Sequence, residues 1–192
     1  MAAAGLSSLP PAAPAVITPR LALRTFGEDD LDLIAALNGD PEVMRHMGGP
    51  MSRAQSGVML HERILAYGRA HPGLGIWATI ERASGRCLGM HVLNHIQGEC
   101  HVQVGYRLFR DAWGRGYATE MSLALIRYGF LQLGLAEVVA ITDPGNAASR
   151  RVLEKCRLRF EGLRAFSHPA YAGCGPQAWY RRGANEWLTE KT

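Results

Sequence analysis

Residues 104–119 read VGYRLFRDAWGRGYAT, and this stretch decides how the rest of the chain is arranged. Val104-Gly105-Tyr106-Arg107-Leu108 alternates in the manner of a strand. Thr119 opens a run with helical spacing through Met121, Leu125 and Tyr128. Between them Trp113-Gly114-Arg115-Gly116-Tyr117-Ala118 places two glycines one residue apart, in a turn that feeds the helix. The first N–H groups of a helix lack intrahelical acceptors and can converge on an anion. Gly114 and Gly116 have no Cβ, so a phosphate can approach the main chain there. The turn has no third glycine as in the dinucleotide fingerprint and no Gly-Lys-Ser/Thr ending as in a P-loop. The spacing therefore points to a phosphate-bearing ligand other than a nicotinamide dinucleotide or ATP.

Working outward from that turn, residues 20–24 alternate as a first strand, and Glu28, Asp29 and Asp30 stand before the apolar face of Leu31, Ile34 and Leu37 as in a first helical turn. Ser52 is placed to cap a second helix carrying Val58, Ile64 and Leu65. Residues 75–80, 87–96 and 101–108 read as three strands whose short connections make an antiparallel meander. The long helix after Thr119 stops near Gly134, and residues 136–142 form a strand reached through it, hence parallel to the strand of the opening stretch. Asn146 caps a helix ending near Lys155. Residues 158–167 and 177–183 pair last, around a loop at 169–176. The predicted order is β-α-α-β-β-β-α-β-α-β-β, an α+β fold with a mixed, mostly antiparallel sheet flanked by helices. Its parallel pair can admit a ligand where the two strands diverge at their carboxyl ends.

The 192 residues suit one domain, assigned to 18–192, after an Ala/Pro/Ser-rich extension over 1–17 that reads as disordered. A net charge of +4 suits anionic ligands but lacks the clustered basic helix of a nucleic-acid binder. No apolar span has membrane length and the start lacks a basic secretory n-region, so a cytoplasmic location is expected, with no membrane partner. Cys87, Cys100, Cys156 and Cys174 form no CxxC pair, and no metal is expected; the first three read as small hydrophobes.

In this order and at these distances the motifs resemble the GCN5-related N-acetyltransferase (GNAT) superfamily, and within it the RimJ/RimL-like branch that acetylates ribosomal-protein N-termini. The matching segments are Thr18-Pro19-Arg20-Leu21 with Glu28-Asp29-Asp30, the NGDPEVM run starting at Asn38, the opening stretch through Glu120, and NAASRRVLEK from Asn146. The resemblance implies transfer of an acetyl group from acetyl-CoA to a primary amine, most simply an α-amine of a protein or peptide, by direct attack in a ternary complex. It implies that Gly114, Arg115, Gly116, Tyr117, Ala118 and Thr119 hold the pyrophosphate. The pantetheine would run beside Leu108, Phe109 and Arg110, with Asn146 contacting it or orienting its turn. A small-molecule amine as acceptor, or a weakly catalytic coenzyme-binding protein, are the alternatives. An exposed last strand could pair two copies into a homodimer.

The attacking amine must be neutral, and an α-amine near pKa ~8 reaches that state far more readily than a lysine near ~10.4. A backbone N–H around Leu108 suits the developing oxyanion. The departing thiolate needs a proton donor, and Ser149, three residues into its helix and also a coenzyme contact by resemblance, is the candidate. Tyr106 and Tyr117 rank below it as donors, because both positions read as packed. The branch carries a glutamate where this chain has Gln103, and an amide cannot take the proton. Either His101, His95 or His91 substitutes through water, or the amine arrives deprotonated. A second departure is Cys156-Arg157-Leu158, where the family has Leu-Gly-Phe; a left-handed exit at Arg157 would cost roughly 1 kcal/mol.

Overall fold

A computed structural model of the chain describes residues 16–189. One mixed sheet of seven strands runs in the order β1-β2-β3-β4-β5-β7-β6. The strands are β1 (Leu21–Thr25), β2 (Gly75–Glu81), β3 (Cys87–His95), β4 (Val102–Leu108), β5 (Glu137–Thr142), β6 (Arg159–Arg164) and β7 (Gln177–Gly183). All neighbours are antiparallel except β4 and β5. The helices are α1 (Leu31–Gly39), α2 (Pro41–Met44), α3 (Arg53–Val58), α4 (Ala66–Ala70), α5 (Tyr117–Leu131), α6 (Ala147–Lys155) and α7 (Ala184–Thr189). A π-helical stretch, Met59–Leu65, joins α3 to α4, so residues 53–70 form one rod.

Two cores sandwich the sheet. On one face Leu93, Val104 and Leu108 pack against Met121, Leu125 and Ile126 of α5 and Leu153 of α6. On the other, Ile76, Ala78 and Met90 meet Ile34 and Leu37 of α1 and Leu60 and Ile64 of the rod. Alternation along β4 therefore sends Val104, Tyr106 and Leu108 toward α5 and α6, and Gln103 and Arg107 toward α1.

Residues 1–15 of the expected extension lie outside the described residues. Val16 joins the first core and Ile17 bridges to Ala22, so packing has begun by that point. Three details differ from the sequence reading. The last strand, β7, lies inside the sheet between β5 and β6, and the edge belongs to β6, which exposes Phe160 and Leu163 and is bulged between Phe160 and Gly162. Cys100 is exposed, because it sits in the hairpin between β3 and β4 and not in an apolar run. α7, which no cap signal announced, closes the first core with Trp187 against Phe130. Arg157 does adopt the left-handed exit, at φ 59, with its N–H on Glu154 O (2.8 Å) and the Leu158 N–H on Leu153 O (3.1 Å). Those two bonds satisfy the end of α6 as a glycine would and offset the strain.

Candidate active site

The glycine turn has the backbone its sequence requires. Gly114 and Gly116 lie at φ 73 and 79, and Gly116 is the residue from which α5 starts. Its carbonyl accepts the Glu120 N–H at 3.0 Å, so the N–H groups of Tyr117, Ala118 and Thr119 precede the first intrahelical bond and point out of the helix start. A Cβ at Gly114 would meet nothing within 4 Å, which leaves an open cradle in front of these donors. The turn is anchored by a residue that the sequence reading used only as part of a motif. Arg20 places Nε 2.6 Å from Glu120 Oε2, donates to the Arg115 carbonyl (2.9 Å), and lies 4.6 Å over the Tyr117 ring. Thr18 Oγ1 donates to the other Glu120 oxygen at 2.6 Å. Glu120 is thus ionised, its pKa held down by these partners against its partial burial, and neutralised, so it does not repel an anion in the cradle.

The turn follows the carboxyl end of β4, where that strand no longer pairs with β5. The parallel contact between β4 and β5 holds one registered pair, Gln103 with Val139. Beyond it the strands part, leaving a wedge with Gln103 at its apex and the Gly114–Thr119 turn at its mouth. Near the mouth the Leu108 carbonyl is taken by the Trp113 indole (2.8 Å) and the Phe109 N–H by Leu88 (2.9 Å). Phe109, Arg110 and Asp111 also border an open groove with Arg86 and Cys87.

On the α6 side of the wedge, Ser149 and Tyr106 come together. The Tyr106 hydroxyl donates to Ser149 Oγ at 3.2 Å, and burial pushes its pKa up to about 12, so it stays protonated at neutral pH. Packing does not remove Tyr106 from the site; it aims its hydroxyl at Ser149. Asn146 caps α6 by accepting the Ser149 N–H at 3.0 Å, so its side chain oxygen orients the serine's helix turn.

The histidines considered from sequence separate. His91 is fully buried, with Nδ1 2.7 Å from Thr79 Oγ1 and Nε2 3.4 Å from the Ala118 carbonyl, and desolvation takes its pKa to about 3. With both nitrogens engaged it is a neutral packing group. His95 bonds the Tyr67 hydroxyl (2.8 Å). His101 pairs with Glu137 (3.0 Å) and packs edge-on to Trp179, at the joined end of β4 and β5 and away from the wedge mouth. Gln103 donates to Asn94 at 3.3 Å on the α1 side.

That side holds residues which sequence reasoning missed. Arg107 is half-buried and hydrogen-bonds Asn38 of α1; its Nε is buried with no partner among the described residues, and desolvation lowers its pKa to about 10. His46, in the loop after α2, lies 2.9 Å from Asp143 at the end of β5. Arg63 of the π-helical stretch is half-buried beside Tyr67 and Tyr171, without an ion pair among the described residues. The Arg107–Asn38 and His46–Asp143 contacts join residues far apart in sequence, and no local pattern encodes them.

A family model described as an acetyltransferase (GNAT) domain matches residues 20–159, which contain both the turn and the wedge. The chain belongs to the GNAT acetyltransferase family. Among its curated relatives, the uncharacterised protein YkkB of Bacillus subtilis is 31% identical over 160 residues, covering 80% of this chain and 91% of YkkB. An Aspergillus fumigatus protein named FsC-acetyl coenzyme A-N(2)-transacetylase is 32% identical over 157 residues, covering 77% of this chain and 66% of the fungal one. A solved structure of RimL, a ribosomal L7/L12 α-N-protein acetyltransferase in complex with coenzyme A, shares the fold with a TM-score of 0.72 at 17% identity, over 90% of this chain and 98% of RimL. This GNAT chain is an acetyl-CoA-dependent N-acetyltransferase acting on amines, and acetyl-CoA is its cosubstrate. Among the described residues no cluster suited to a metal ion occurs, and no helix is long and apolar enough to cross a membrane.

Proposed function

We propose that this GNAT enzyme acetylates a free α-amine on a peptide or protein N-terminus, by direct attack within a ternary complex, as in the RimJ/RimL-like branch. The observation behind this is the wedge itself: it opens from an anion cradle at the start of α5 to an apex at Gln103 that carries no carboxylate. In this reading the N–H groups at the turn hold the pyrophosphate, Thr119 adds its hydroxyl, and the pantetheine lies along β4 beside Leu108, Phe109 and Arg110. Ser149, backed by the Tyr106 hydroxyl, gives a proton to the departing thiolate. The α-amine is favoured by chemistry, since at neutral pH it is roughly 10²-fold more deprotonated than a lysine. A free small-molecule amine is the second reading; the fungal relative's name gives a numbered nitrogen, N(2), and no protein N-terminus as the position acetylated.

The deciding experiment measures thiol release from acetyl-CoA with a free-N-terminal peptide, the same peptide N-acetylated but carrying a lysine, and spermidine. Turnover of the first at more than tenfold the kcat/KM of the others supports the proposal. A preference for spermidine transfers it to the second reading. No turnover with any amine, despite coenzyme binding, would leave a binding protein and overturn both.

A further inference from the structure

We propose that His46 is the proton acceptor of the transfer reaction and that Asp143 orients it; this rests on the acetyl-transfer reading above. His46 Nδ1 lies 2.9 Å from Asp143 Oδ2. The carboxylate is itself fixed, because its other oxygen accepts the Gly145 N–H at 2.7 Å and the Asp143 carbonyl accepts the Asn146 N–H at 2.9 Å. Both bonds to the carboxyl hold its pKa below the usual range, so it is ionised and can only accept. His46 must then donate from Nδ1, which leaves the lone pair on Nε2, and Nε2 has no partner among the described residues.

Asp143 follows the carboxyl end of β5, one of the two strands that bound the wedge, and so brings His46 to that end of the sheet. α1 is tied to β4 by the Asn38–Arg107 bond, and the loop carrying His46 returns to α1 through Met51 N on Asn38 O (2.9 Å). His46 therefore belongs to the layer over β4, whereas Asp143 ends β5. Ser149 and Tyr106 lie on the opposite, α6 side. A thioester in the wedge is thus flanked by a proton donor on one face of the sheet and a proton acceptor on the other. An amine entering from the α1 side forms its N–C bond at the carbonyl carbon and gives its proton to Nε2. The C–S bond opens, the thiolate takes the Ser149 hydroxyl proton, and solvent returns the proton from His46 to the serine. His46 and Asp143 are 22% and 39% exposed at the side chain, open enough to exchange that proton. The other charged groups nearby are Arg45, turned to Glu42 at 3.3 Å, and Arg107 beneath α1.

The test compares wild type, His46→Gln, Asp143→Asn and the double variant, using acetyl-CoA and whichever amine of the panel above turns over best. His46→Gln should lower kcat/KM at pH 7 by about 100-fold or more, with the deficit shrinking by pH 9.5, and with coenzyme affinity by calorimetry within threefold. Asp143→Asn should lose about tenfold or more, and the double variant should be no worse than His46→Gln. Independently of activity, long-range ¹⁵N spectra of the imidazole should show the Nδ1–H tautomer in wild type and its loss in Asp143→Asn. His46→Gln within threefold of wild type at pH 7, or an Nε2–H tautomer in wild type, overturns the assignment while leaving acetyl transfer intact. A wild-type protein that transfers acetyl to no amine overturns both together.

Discussion

Replacing Gly116 by aspartate tests the cradle directly. At φ 79 a residue with a Cβ costs about 1–2 kcal/mol relative to glycine. The new Cβ would meet only an Arg20 guanidinium nitrogen, at 3.5 Å, which is ordinary contact and adds no clash. A carboxylate at the start of α5, beside Arg20 and Arg115, recovers part of that cost, because negative charge is favoured at a helix N-terminus. The net loss should be about 1 kcal/mol, a fall in Tm of about 2–4 °C for a domain of this size. Binding should suffer far more. A carboxylate ~4–5 Å from two phosphate charges, at an effective dielectric between water and the protein surface, repels by about 3–4 kcal/mol, or roughly 10²–10³-fold in Kd. Gly114→Ala, at φ 73 and with no atom within 4 Å, carries the same backbone cost without the charge and gives the baseline. Calorimetry with coenzyme A and acetyl-CoA, alongside thermal melts, reads both quantities. Gly116→Asp folded and binding within tenfold of wild type would place the phosphates elsewhere and refute the reasoning.

Ser149→Ala should lower kcat by about 10- to 10³-fold with coenzyme affinity within a few-fold, and adding Tyr106→Phe should cost little more if the two hydroxyls act as one relay; thiol-release kinetics decide, and additive losses would count against a relay. His91 has a folded pKa of about 3 against an ordinary 6.5, so the unfolded chain binds the extra proton between those values. Its contribution is complete above pH ~6.5 and is lost as pH falls, by about 2 kcal/mol between pH 7 and 5, and urea unfolding of His91→Gln should lack that component. Asn38→Ala removes the hydrogen-bond partner of the Arg107 guanidinium and should cost about 2–3 kcal/mol; combining it with Arg107→Met should restore much of that, because an apolar pair leaves no buried charge to satisfy. A urea midpoint for Asn38→Ala equal to wild type would show that water already serves Arg107.

The glycine turn and the helix start behind it were legible because local rules build them. Two glycines, a helix start and a strand that ends before them are all readable within sixteen residues, and the parallel direction of β4 and β5 follows from the crossover through α5, whereas their single registered pair does not. Even the anchor was half visible: Arg20 and Glu120 belong to separate matching motifs, and the structure shows why they occur together, since one holds the other at 2.6 Å. The long rod of residues 53–70 was harder, because its π-helical middle shifts the apolar face away from a 3.6-residue period. Tyr106 is packed, as its position in β4 suggested, and the structure adds what that packing does. Burial keeps its hydroxyl protonated and directed at Ser149.

The acceptor half follows another logic, and this has an experimental consequence. His46 and Asp143 are 97 residues apart in sequence, Arg107 and Asn38 69 apart, and Gln103 meets Asn94 only through strand register. These pairs join different elements of the fold, whereas in the proposed reading the coenzyme is held by backbone geometry at one turn. Substitutions on the two halves should therefore separate in kinetics: those at Gly114 and Gly116 should move coenzyme Kd and leave acceptor preference unchanged. Those at His46, Asp143 and Arg63 should change kcat or the ranking of amines at constant coenzyme Kd. Arg63 is a half-buried cation without an ion pair among the described residues, and if the acceptor chain passes beside Tyr67 and Tyr171 it would attract negative charge there. With peptides differing only in an acidic or neutral second residue, Arg63→Gln should erase a preference for the acidic one. If wild type shows no such preference, Arg63 does not read acceptor charge.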